Sequence, residues 1–143
     1  MEGRSVMKIY NDHFVQDGSK IRAGMHIILD VWGVEHLSNV EYVTKLLYDA
    51  AKATGASILD TNVHSFGEGE GVTGIVLLAE SHISCHTWPE RKFAAFDVFT
   101  CGACDSSKAI DYLITQMHPE RSEIHTIMRG EQEIAVDLSP NTL

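Results

Sequence analysis

The sequence predicts an α+β fold: a two-layer sandwich with two helices on one face of a mainly antiparallel sheet. Three observations predict it. Two segments carry apolar residues at helical spacing with recognisable end signals. Several short β-branched runs have strand length. The resulting order is β-α-β-β-β-β-α-β-β. A chain of 143 residues fits one domain with a real core.

Residues Met1 to about Gly24 show no clear period and read as an extended arm, with a single domain expected over residues 24–143. "MHIILDVW" (Met25–Trp32) is short, apolar and β-branched, hence a strand. "SNVE" (Ser38–Glu41) has the form of a capping box, a hydroxyl followed three residues later by a carboxylate. Tyr42, Val43, Leu46, Leu47 and Ala50 then recur at helical spacing, and Gly55 supplies a stop. The expected helix runs over Asn39–Thr54.

"SILDTNV" (Ser57–Val63) reads as a strand, and "FGEGEG" (Phe66–Gly71) as a loop whose glycines permit close approach. "VTGIVLLAE" (Val72–Glu80) is almost continuously apolar, as expected of a strand central in a sheet or buried on both faces. "FAAFDVFT" (Phe93–Thr100) is another strand. In "DSSKAIDYLITQM" (Asp105–Met117), Asp105 or Ser106 caps a second helix with an apolar stripe of Ala109, Ile110, Leu113, Ile114 and Met117. His118–Pro119 ends it. Strands are expected near Glu123–Met128 and Glu131–Leu138.

Bulk composition narrows the function. The content is 44% hydrophobic and 22% charged, which fits a globular chain rather than a disordered one. No apolar run approaches the ~20 residues that span a bilayer. The first residues lack the apolar stretch of a signal peptide, so a cytoplasmic location is expected. A formal charge of -9 opposes phosphate-backbone binding. It is compatible with a cationic small substrate, or simply with a solvated acidic surface. Three cysteines suggest thiols, ligands or a catalytic group rather than a disulfide frame.

The chemistry concentrates in "AESHISCHTWPE" (Ala79–Glu90) and "CGAC" (Cys101–Cys104). Three readings are open from the residues alone. His82 and His86 with Cys101 and Cys104 could hold a tetrahedral zinc. In a straight strand, however, residues i and i+4 stand about 13 Å apart. A second reading is a strand with one polar face, since His82, Ser84 and His86 alternate with Ile83 and Cys85. The third is self-cleavage, in which the Ser81 hydroxyl attacks the carbonyl of Glu80. Elimination then leaves a pyruvoyl group. Such chemistry needs a strained or exposed backbone, an oxyanion donor and a proton shuttle. His86 and Thr73 are candidate proton handlers.

The combination resembles the prokaryotic S-adenosylmethionine decarboxylases. Their pattern is an E-S-H cleavage site, then H-T-W-P-E, then a strand ending in T-C-G. These parts stand at Glu80–His82, His86–Glu90 and Thr100–Gly102. "GMHIILDVWGV" (Gly24–Val34) is similar to the family's first strand, and "HSFGEGEGVTGIV" (His64–Val76) to its glycine-rich loop. The resemblance implies cleavage between Glu80 and Ser81, giving chains of residues 1–80 and 81–143. Ser81 would become a covalent pyruvoyl group that forms a Schiff base with the substrate amine. His86 would assist processing, with Thr73 in place of a supporting serine. Cys101 would protonate the decarboxylated carbon. Phe66 would stack on the adenine, and Glu90 would bind the ribose hydroxyls.

The resemblance further implies a homodimer of cleaved units with substrate sites between subunits, and a product that feeds spermidine synthesis. No metal is expected, because Cys104 has no counterpart in the pattern. Two departures fall in the substrate region. The loop after Phe66 is one residue longer and carries Glu68 and Glu70 in place of a proline. Met25 stands where an arginine is usual. Drift in a surface loop is one explanation; recognition of a cationic side chain by Glu68 and Glu70 is the other. The second would make ornithine or arginine the substrate. An uncleaved binding protein on the same fold is a further alternative.

Overall fold

The computed structural model describes residues 12–134. A six-stranded sheet carries the fold. Its strands are β3 (Gly24–Trp32), β4 (Ile58–Ser65), β5 (Val72–Leu78), β6 (Ser81–Trp88), β7 (Phe93–Cys101) and β8 (Arg121–Arg129). They lie in the order β4-β5-β6-β7-β3-β8, and every neighbouring pair is antiparallel. Two helices, α1 (Val40–Thr54) and α2 (Ser106–Met117), complete the α+β sandwich.

Local chemistry sets the helix ends. Asn39, not Ser38, is the N-cap of α1: its side-chain oxygen accepts from the Tyr42 N–H at 3.0 Å. The capping box expected at Ser38–Glu41 is therefore displaced by one residue. The carboxamide of Asn39 satisfies the third amide of the helix, and Glu41 instead sits in the positive first turn. Gly55 ends the helix in the left-handed conformation at φ 85°. Asp105 caps α2, accepting from the Ser107 N–H at 2.9 Å.

Both helices cover one face of the sheet. Ile27, Leu29 and Val31 of β3, Ile83 and Cys85 of β6, and Val98 of β7 are buried with Leu47, Ala50, Ala109 and Leu113. Alternation sends the other residues of these strands to the opposite face. That face carries Ile28, Ile75, Leu77, Trp88 and Ile127, each 37–47% exposed. Of the two alternatives for Val72–Glu80, the central position holds, since β5 lies between β4 and β6, while burial is confined to one face. β5 is interior in the sheet and apolar on both sides, but only its helix side has a covering layer.

The described part of the arm is extended and paired. β1 (Val15–Asp17) and β2 (Lys20–Arg22) form a hairpin that β9 (Gln132–Glu133) extends to a small three-stranded sheet. The last expected strand, Glu131–Leu138, is seen only as β9, and the remainder from residue 135 onward lies outside the described residues.

Candidate active site

β5 and β6 meet in a two-residue turn, Ala79–Glu80, with Leu78 opposite Ser81. Glu80 has φ 59°, a left-handed conformation for a residue with a Cβ. Such backbone costs about 1 to 3 kcal/mol and is held there by the ladder on either side. The peptide bond to Ser81 therefore follows directly on a strained residue, at a hairpin tip. The Ser81 hydroxyl donates to the Ala79 carbonyl at 3.0 Å. The Cys101 sulfur, at the end of β7, lies 3.8 Å from that same oxygen. Serine, thiol and left-handed turn thus share one end of the sheet. His13 Nε2 from the arm meets the Glu80 carboxylate at 2.9 Å.

The Cys101 thiol is pushed above its ordinary pKa, first by partial burial, then by the Glu80 carboxylate and by Cys104. This keeps it protonated at neutral pH, the form required of a proton donor. Cys85 differs: burial in the core pushes its thiol up to about 12, leaving it inert.

A second cluster sits elsewhere. Thr73 and His86 are opposite each other on β5 and β6, with Thr73 Oγ1 3.0 Å from His86 Nδ1. They line a recess of about 250 Å³ together with Phe66, Glu70, Trp88 and Glu90. Phe66 is 63% exposed and meets His64 edge-on at 4.8 Å, leaving most of its ring available for stacking. Glu90 is carried by a single 3-10 turn, Pro89–Arg91. Gly71 lets the loop close on β6, since a Cβ there would lie 2.2 Å from the Thr87 carbonyl oxygen. Of the two acids in the long loop, Glu70 lines the recess and Glu68 does not.

The two clusters do not meet within one chain. Ser81 and His86 are five residues apart on the continuous strand β6, on the order of 16 Å. The expected residues are thus brought together as two groups: Glu80, Ser81 and Cys101 at the hairpin, and Phe66, Glu70, Thr73, His86 and Glu90 at the recess.

Between them lies a network that sequence reasoning missed. Asp97 on β7 accepts from His26 Nε2 at 2.6 Å and from His82 Nε2 at 2.8 Å on one oxygen, and from the Ser84 hydroxyl on the other. Burial raises the Asp97 pKa, but the bonds from Ser84, His26 and His82 outweigh it, and the carboxyl is held below its usual range. A signal did exist. Asp97 is the lone acid in "FAAFDVFT", and alternation from Cys101 places it on the open face.

Among the described residues, His26, His82 and Asp97 are the group whose ligand atoms converge, within 4.8 Å of one another. The quartet His82, His86, Cys101 and Cys104 is not assembled. The three converging groups are a poor metal site as arranged. Arg129 donates to His26 Nδ1 at 2.9 Å, which places the ring proton on Nε2, the atom a metal would need bare.

The two-layer sandwich thus sets Ser81, the left-handed Glu80 and the Cys101 thiol at one end of the sheet. The chain belongs to the S-adenosylmethionine decarboxylase family, whose model matches residues 25–130. It is similar to the S-adenosylmethionine decarboxylase proenzyme of Brevibacillus brevis, 42% identical over 116 residues, covering 79% of this chain and 86% of the relative. The proenzyme of Methanococcus maripaludis strain C5 is 43% identical over 114 residues, covering 78% of this chain and 93% of the relative. Among solved structures, the adenosylmethionine decarboxylase of Aquifex aeolicus superposes with a TM-score of 0.70 at 38% identity. That match covers 82% of this chain and 97% of the other. Among the described residues, no helix is long and apolar enough to cross a membrane.

Proposed function

We propose that this chain is a cytoplasmic, self-processing decarboxylase of S-adenosylmethionine that works as a homodimer and supplies polyamine synthesis. The observation that carries the reading is the meeting of Ser81, the left-handed Glu80 and the Cys101 thiol at one hairpin. The Ser81 hydroxyl sits beside the bond to be rearranged, so the residues present fit a pyruvoyl group made from Ser81. That group would supply an electrophilic ketone, the electron sink that a decarboxylation needs. Cys101, kept protonated, holds the proton that the substrate carbon needs. Phe66 offers an aromatic face for the adenine, and Glu90 a carboxylate for the ribose hydroxyls.

Distance supports a second copy. His86 and Thr73 cannot reach Ser81 of their own chain, so a partner's recess completes each hairpin. The apolar open face, with Ile28, Ile75, Leu77 and Ile127 exposed, supports such a pairing. In this arrangement His86 and Thr73 of one chain handle protons during cleavage of the other.

The names of the relatives favour the adenosyl substrate over ornithine or arginine. Glu70 stands beside Phe66 in the recess and suits the positive sulfonium of that substrate as well as a basic side chain. The test is twofold. Intact mass under denaturing conditions should show two fragments, the second blocked by pyruvate. Carbon dioxide should be released from S-adenosylmethionine and not from ornithine, arginine or lysine. A full-length species with an ordinary Ser81, or release only from a basic amino acid, would sink the reading.

A further inference from the structure

His82 is the residue to which the proposed pyruvoyl group would remain attached, and its ring is fixed by Asp97 on the neighbouring strand. The register explains how. His26 and His82 both lie opposite Phe99, one from each side, and Asp97 is two positions along β7 from Phe99. Both rings therefore reach diagonally past Phe99, at 5.4 and 6.2 Å between centroids, to the same carboxylate oxygen. The other oxygen is occupied by Ser84, directly opposite Asp97 on β6. Arg129 fixes the His26 ring from behind. Four positions further on β7, and on the same face as Asp97, is Cys101.

We propose that Asp97 is a positioning residue, the anchor that keeps position 81 aligned with Cys101 once the chain has been cut. This rests on the reading of Ser81 as the cleavage site. Before cleavage, β6 is tied to β5 through the Ala79–Glu80 turn. After cleavage that tie is gone, and strand ends fray. The first intact side chain of the new chain is His82. Its bond to Asp97 links it to the strand that carries the thiol, so the distance between ketone and proton donor no longer depends on the lost turn. Ser84 and His26 donate to the same carboxylate and hold it in one rotamer.

Alignment has a chemical readout. If the proton lands on the ketone-derived carbon instead of the substrate carbon, hydrolysis on the substrate side leaves the nitrogen on the protein. The chain then begins with alanine, and the substrate departs as an aldehyde. Loose positioning increases that fraction.

The experiment compares Asp97→Asn in two backgrounds, the matured protein and the uncleavable Ser81→Ala chain, by backbone hydrogen exchange and terminal mass. Matured Asp97→Asn should exchange several-fold faster over His82–Ser84. In the Ser81→Ala background, where the turn still holds, the same substitution should have little effect. The matured variant should also accumulate several-fold more alanine-ended chain per turnover. His82→Ala serves as a second variant and should behave alike. Equal exchange and equal alanine fraction in wild type and both variants would overturn the proposal. So would faster exchange in both backgrounds, or folded variants that never mature. Failure of the functional reading looks different: the wild type itself would retain an uncleaved Ser81.

Discussion

Ser81 and His86 lie on one unbroken strand, five residues apart, and cannot touch each other in the same chain. Chains defective at different positions should therefore rescue one another. Ser81→Ala alone and His86→Ala alone should each remain full length. When the two are co-expressed, a mixed dimer joins the intact Ser81 of one chain to the intact His86 of the other. Cleavage of the His86→Ala chain should reappear, visible as two fragments on a denaturing gel. Absence of rescue in a verified mixed dimer would mean that each chain processes alone.

Cys101 should be separable from processing. Its sulfur contacts the Ala79 carbonyl, not the Glu80–Ser81 bond. Cys101→Ala is expected to cleave itself yet lose about 10²-fold or more in turnover, the ordinary contribution of a placed general acid. Multiple-turnover formation of the protonated, released amine product by the matured variant measures this. Unchanged turnover would remove Cys101 from the mechanism.

Thiol chemistry gives a further check. Burial and the Glu80 carboxylate both disfavour the Cys101 thiolate, so its pKa is raised. At pH 8 it should alkylate more slowly than an unperturbed thiol. Glu80→Gln removes a negative charge, favours the thiolate, and should move the alkylation curve to lower pH. Cys85, pushed up to about 12, should stay unlabelled until the protein unfolds. Peptide mass mapping after iodoacetamide distinguishes the three cysteines.

Much of this was legible in the sequence because strand alternation and helix spacing are local. Both helices and all strands of the main sheet follow from residue pattern. The displaced cap was not legible, since Ser38 and Asn39 are both good N-caps and only backbone geometry at Asn39 decides between them. The Asp97 network was missed because it joins three strands. His26, His82 and Asp97 are distant in sequence, and only the register sets them around Phe99. The hairpin motif announced Ser81, Glu80 and Cys101. It did not announce that His86, in the same motif, sits too far along the strand to help its own serine. The arm's pairing with β9 was hidden for the same reason: it depends on a contact between the two ends of the described chain.

The continuous apolar run of β5 leads to the last prediction. Ile75 and Leu77 point away from the helices and are 38% and 44% exposed, although their strand is interior to the sheet. Apolar side chains at such positions are stabilising only when something covers them. A charge placed there removes the gain from burial and adds the cost of desolvating an unpaired ion. Leu77→Asp should therefore shift the protein from dimer to monomer in sedimentation or size-exclusion measurements. The helix-side core is untouched, so the far-ultraviolet circular dichroism should be retained. Since His86 and Thr73 would then have no neighbouring hairpin to serve, the monomer should also stay uncleaved. A monomeric Leu77→Asp chain that matures at the wild-type rate would separate processing from pairing, and would require the proton handlers for Ser81 to come from its own chain.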